Sequence, residues 1–144
     1  MSKIYFFNGW AMDENLLSPL KNSTEYEIKV INFPYSIDKT SISKGDIFLA
    51  YSFGVYYLNK FLSENQDLIY EKAIGINGLP ETIGKFGINE KMFNMTLETL
   101  NDENLEKFLL NMDIDESFGR AKKTLEEARY ELQYFKDNYK SIPN

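Results

Sequence analysis

The chain contains no histidine and no cysteine. Without cysteine there is no disulfide, no thiolate nucleophile and no cysteine-ligated zinc site. Without histidine the usual general base of hydrolytic enzymes is missing, because imidazole is the side chain whose unperturbed pKa lies near neutrality. Basic residues are outnumbered, 16 Lys and Arg against 22 Asp and Glu, and the net charge of −6 argues against nucleic acid, whose binding rests on neutralising phosphates. No apolar run is long enough to span a bilayer, and Asn8 and Gly9 interrupt the N-terminal stretch too early for a signal peptide. No membrane partner is therefore expected, and the cytoplasm is the expected compartment. What is present, 43% hydrophobic, 15% aromatic and 26% charged residues over 144 positions, suits one globular unit with room for a core.

Residues 46–56, Asp-Ile-Phe-Leu-Ala-Tyr-Ser-Phe-Gly-Val-Tyr, are the most informative stretch. They run apolar from Ile47 to Ala50, break at Ser52 and Gly54, and resume at Val55, Leu58, Phe61 and Leu62 with helical spacing. The pattern predicts a buried strand, a sharp turn and a helix. Such a turn lifts the Ser52 hydroxyl clear of the sheet edge and sets it beside backbone N–H groups able to hold an oxyanion. The alternative is a turn in which Ser52 only caps the helix.

Residues 3–7 are short, apolar and β-prone, and the turn signal Asn8-Gly9 ends them, which predicts a central parallel strand. Trp10 and an N-cap at Asp13 then lead to a helix carrying Leu16, Leu17 and Leu20. The loop between them either presents N–H groups to a carbonyl oxygen or simply packs Trp10 into the core. Residues 26–33 predict a strand nearer the sheet edge, residues 34–45 a loop, and residues 72–77 a fourth strand closed by Asn77-Gly78 and Pro80. The alternation predicts a three-layer α/β fold with about four parallel strands in the order 2-1-3-4. Ligands in such sheets sit beyond the carboxyl ends of the strands, and that edge collects Asn8, Gly9, Trp10, Ser52, Phe53, Asn77 and Gly78.

After Gly87 the pattern is helical. Met92, Phe93, Leu97 and Leu100 share one face, Asn101 opens a second helix with Leu105, Phe108, Leu109 and Met112, and a last helix is expected over residues 118–139 with a seam from Ala121 to Tyr139. The expected division is a sheet core over residues 1–86 and a helical cap over residues 87–144. Arg120, Lys122, Lys123 and Arg129 form a basic cluster, read either as a solvated face or as a surface for an acidic partner.

Residues 6–14, 50–55, 74–80 and 86–88, together with residues 120–127, resemble in order and spacing the BioG type of pimeloyl-acyl-carrier-protein methyl ester esterase, an α/β-hydrolase of biotin synthesis. Ala50 stands where the G-x-S-x-G elbow has its first glycine, a mild departure because the turn needs a small residue. The resemblance implies a serine carboxylesterase that cleaves the methyl ester masking the distal carboxylate of a pimeloyl chain on acyl carrier protein. It assigns Ser52 as nucleophile, the backbone N–H groups of Trp10 and Phe53 as oxyanion donors, and the helices from about Ile88 onward as a cap over the acyl channel. The basic residues from Arg120 to Arg129 match the kind of surface that would receive an acidic carrier protein. No cofactor and no metal are implied.

The departure lies beyond the cap, where the family carries its acid and its His on loops after later strands. The chain is therefore expected to be the first part of a longer hydrolase, through truncation, a split gene or fragmentation, and to be weakly active or inactive alone. The alternative is a non-catalytic protein that binds an acyl chain or acyl carrier protein. Without later strands the fourth strand becomes an edge, so the cap is expected to fold over it, or two copies to pair through it as a homodimer.

Overall fold

The computed structural model describes residues 2–20, 24–117 and 119–141. Four short strands, β1 (Lys3–Phe7), β2 (Glu27–Ile31), β3 (Ile47–Tyr51) and β4 (Lys72–Ile76), pair in parallel in the order β2-β1-β3-β4. This is the predicted order. The register opposes Tyr5 to Phe48 and Phe7 to Ala50, so these four share one face. They are buried there under Val55 and Leu58 of α1 (Gly54–Glu64). The opposite face receives Ile4, Phe6, Ile28, Val30, Leu49, Ile74 and Ile76. Of these only Phe6 is buried, and Ile74 and Ile76 stay 41% and 40% exposed.

Three helices follow the sheet: α2 (Glu90–Glu98), α3 (Asp102–Asn111) and α4 (Leu125–Asn138). The new start at Asn101 is where the sequence places it, with the Asn101 side chain accepting from the Asn104 N–H at 2.8 Å. The last helix begins later than expected. Thr124 and Glu127 form a reciprocal capping box, which sets the first turn at Leu125 and leaves Ala121 outside the helix. The expected start at Phe118 lies outside the described residues. Residues 14–20 form a 3-10 helix rather than an α-helix, with Pro19 inside it lacking the N–H an α-helical ladder needs. Asp13 does cap it, Oδ1 accepting from the Asn15 N–H at 2.9 Å.

Every residue of β4 is exposed, so the expectation that the cap folds over this strand is corrected. The apolar stripes of the C-terminal helices, Phe93, Leu97, Ala128, Leu132 and Phe135, close instead over Trp10, Ala11 and Tyr56. Met92, expected on that stripe, is 63% exposed.

One buried charge ties the start of the sheet together. Asp46 has no exposed surface and accepts from the N–H groups of Lys3 and Ser43, each at 2.8 Å, with the Lys3 ammonium 3.5 Å away. Burial alone would raise its pKa, but these donors outweigh it and hold the carboxyl below 3.8. A depressed carboxyl contributes stability above its unfolded pKa and loses it as pH falls through the folded value. Asp46→Asn, which turns an amide NH₂ toward one of those donors, is expected to cost about 1–2 kcal/mol at pH 7 and to flatten the loss of stability below about pH 4. Urea melts of both proteins at pH 7 and pH 3 check this; equal midpoints at pH 7 would contradict it.

Candidate functional site

The turn between β3 and α1 is tight because three backbones meet there. Ser52 adopts φ 56°, a left-handed conformation rare for a residue with a Cβ. Its N–H donates to the carbonyl of Ile76 at 3.0 Å, so the end of β4 holds the turn. Any Cβ at Gly54 would stand 2.0 Å from the carbonyl oxygen of Phe7, and any Cβ at Gly78 would stand 2.3 Å from that of Ser52. The ends of β1, β3 and β4 thus meet at this turn, and the packing of their backbones holds Ser52 in its strained conformation. Ser52 does not cap the helix: the N-cap is Phe53, with no side-chain bond to the first turn. The capping alternative is thereby set aside. Among the described residues the half-buried Ser52 hydroxyl has no hydrogen-bond partner.

The loop after β1 is held by its neighbours. Asn8 is fully buried, its Nδ2 donating to the Asp13 carbonyl and to Asn32 Oδ1, each at 2.9 Å, while its Oδ1 accepts from the Gly9 N–H at 2.9 Å. Tyr35, whose phenol burial keeps protonated, donates to the Asn8 carbonyl at 2.8 Å. Asn8, expected at the ligand edge, therefore lies beneath it and shapes the loop. Gly9 packs against the turn, where an added Cβ would stand 3.3 Å from the Ser52 Cβ. Trp10 is 5% exposed, its indole N–H donating to the Ala128 carbonyl at 2.7 Å and its ring 4.9 Å from that of Phe108. Its side chain is core, and among the described residues its backbone N–H, like that of Phe53, has no acceptor.

Ala11, at φ 61°, donates its N–H to Glu131 Oε2 at 3.2 Å. Glu131 is itself buried and paired with Lys123. Its pKa is raised, chiefly by burial, with the Lys123 ammonium acting against the rise. Its role is not legible in the sequence. The only signal was a carboxylate set among the apolar seam positions Ala128, Leu132 and Phe135.

A cavity of about 350 Å³ opens beside the turn, lined by Ser52, Phe53, Asn77, Gly78, Glu81 and Phe86 among others. Of the residues expected at this edge, Ser52, Phe53, Asn77 and Gly78 line the cavity and Asn8, Gly9 and Trp10 do not, with Asn77 at φ 49° turning the chain out of β4. Glu81 and Thr82, also in its lining, were not singled out by the sequence.

The basic cluster is placed differently. Arg120 pairs with Glu106 and donates to the Ile114 carbonyl at 3.3 Å, Lys123 pairs with Glu131, and Arg129 donates to the Leu100 carbonyl at 2.9 Å. The Arg120 bond, aided by its charge, lowers the Glu106 pKa. Lys122 is the member left exposed, with no side-chain partner among the described residues. Among the described residues no group of three acidic, His or Cys side chains could hold a metal ion, and no helix is long and apolar enough to cross a membrane.

Among the described residues the arrangement leaves a hydroxyl and the Phe53 N–H without partners beside a cavity, which are groups that attack on a carbonyl carbon and stabilisation of an oxyanion require. No imidazole is present to take the hydroxyl proton. No family model and no curated protein matches the sequence. Among solved structures the chain is similar to BioG from Haemophilus influenzae, with a TM-score of 0.74 and 20% sequence identity over 94% of this chain and 66% of that one. That likeness shows a shared fold, and the chain spans slightly less than two thirds of the Haemophilus protein.

Proposed function

We propose that this chain carries the nucleophile and oxyanion half of a serine carboxylesterase acting on the methyl ester of an acyl chain borne by acyl carrier protein, as in biotin synthesis in the cytoplasm. Ser52 is the nucleophile, the N–H groups of Trp10 and Phe53 are the oxyanion donors, and Asn77 and Gly78 line the substrate hollow. The observation that carries this is the left-handed Ser52 on a strand-to-helix turn, its hydroxyl unpartnered and beside a cavity. The proton acceptor comes from outside these residues, because the sequence has no histidine. Losing the base of a serine triad lowers kcat by roughly six orders of magnitude and leaves on the order of 10³ to 10⁴ over water.

Purified chain is accordingly expected to hydrolyse p-nitrophenyl butyrate no faster than Ser52→Ala, while methyl hexanoate shifts the backbone amide resonances of Trp10, Ser52, Phe53 and Gly78. Rapid turnover lost in Ser52→Ala would overturn the missing base, and unmoved resonances would overturn the site. A non-catalytic acyl-chain or carrier-protein binder is the second reading, favoured by the same absence of histidine. Adding a separately expressed histidine-bearing partner distinguishes the two: fluorophosphonate labelling of Ser52 rises only if the chain is half of an enzyme. A pull-down with pimeloyl-loaded carrier protein tests the contact through the basic cluster, in which Lys122 is the exposed member.

A further inference from the structure

The wall of the Ser52 cavity is a compact loop over residues 81–88. The Ile88 N–H donates to the Thr82 carbonyl at 2.6 Å, the Gly84 N–H donates to the Ile88 carbonyl at 3.1 Å, and Tyr139 anchors the loop by donating to the Ile83 carbonyl at 2.8 Å. The side chains that this loop and its neighbours give the cavity are apolar or uncharged, Phe53, Leu79, Thr82, Phe86 and Ile88, with one exception. Glu81 is the single charged residue of the lining. Its carboxylate folds over Gly84, where φ is +144° and an added Cβ would stand 1.9 Å from Glu81 Oε1. Among the described residues Glu81 has no ion pair, and the nearby Lys85 ammonium stands over the Phe86 ring, 5.3 Å from its centroid.

We propose that Glu81 is a specificity-determining residue of this cavity, one that admits neutral esters and disfavours free carboxylates. The inference rests on the Ser52 cavity being the ester site. An ester and the acid it yields differ by one methyl group and one negative charge. The cavity is open to solvent, with Phe86 70% exposed, so desolvation is slight and the discrimination is electrostatic: the acid's charge shares one small hollow with the Glu81 carboxylate, and like charges near a protein surface repel by enough to change affinity several-fold. The site thereby favours the masked end of the acyl chain over the unmasked one and sheds its own product. An amine of the same length carries the opposite charge and is drawn in.

The test compares methyl hexanoate, hexanoate and hexylammonium by amide-shift titration at pH 7.5, in the full chain and in Glu81→Gln, an isosteric change at a half-exposed position. Methyl hexanoate is expected to bind roughly five- to tenfold more tightly than hexanoate, with hexylammonium tighter than hexanoate by at least as much. In Glu81→Gln hexanoate gains and hexylammonium loses, and the spread shrinks by about that factor. Affinity ratios unchanged in Glu81→Gln overturn the role of Glu81 while leaving the ester site standing. No binding of any of the three overturns both.

Discussion

Gly54→Ala is expected to destroy the native state. The methyl group would stand 2.0 Å from the Phe7 carbonyl oxygen, 2.6 Å from the Phe7 carbonyl carbon and 2.8 Å from the Asn8 oxygen. All three are backbone atoms of the central strand and its loop, so no side chain can rotate away. Relief requires moving α1 off β1, which opens the cluster of Tyr5, Phe7, Phe48, Ala50, Val55 and Leu58. Overpacking of a flexible core costs about 1–3 kcal/mol, and a clash against fixed backbone should exceed about 4 kcal/mol, against a whole-domain stability of about 5–15 kcal/mol. Gly75→Ala is the control, because its Cβ would meet only Val55 methyls at 3.5 Å, an ordinary contact. It should change stability by less than about 1 kcal/mol, since a strand glycine also costs entropy on folding. Near-UV circular dichroism and urea midpoints read both variants. A Gly54→Ala protein melting close to the parent would mean that the turn is looser than its contacts imply.

The same glycine shows what the sequence made legible. Ser52-x-Gly54 after an apolar run is enough to expect an elbow, and the short strands bounded by Asn8-Gly9 and Asn77-Gly78 leave few right-handed parallel topologies, so the strand order followed. Local chemistry carried those inferences. What failed depended on distant partners. Periodicity says that Ala121 continues the seam of the last helix, but a capping box at Thr124 interrupts it. It says that the C-terminal helices have apolar faces, but not that Trp10 and Tyr56 rather than β4 receive them. A run of cations reads as a surface until Glu106, fourteen positions before Arg120, and the Leu100 carbonyl, far from Arg129, take up their charge and donors. Glu131 was the least legible, because its partner Ala11 is 120 positions away.

That carboxylate also sets the second large effect. Glu131 joins α4 to the loop bearing Trp10, accepting from the Ala11 N–H at 3.2 Å and pairing with Lys123, whose side chain is only 16% exposed. Glu131→Ala leaves a buried N–H and a mostly buried ammonium without acceptors, and should cost about 3 kcal/mol, the lower end for breaking a buried pair. Glu131→Gln keeps an acceptor for Ala11 but removes the titration. The sign of the pH dependence follows from the direction of the shift. Because burial raises the pKa above 4.5, the native state holds this proton more tightly than the unfolded state, so the contribution is full below about pH 4.5 and is lost as pH rises through the folded value. Asp46 acts in the opposite sense at lower pH, losing its contribution below about 3.8. The contributions of these two groups, taken by themselves, are both largest between those limits. Urea midpoints of the parent should fall from pH 4.5 toward neutrality, and Glu131→Gln should flatten that slope; an equal slope in both proteins would remove Glu131 from the account. If the slope belongs to Glu131, the Trp10 and Ala11 amide resonances titrate with it, because α4, which closes over the loop, accepts the Ala11 N–H through this carboxylate and holds Ala11 in its left-handed turn beside Trp10.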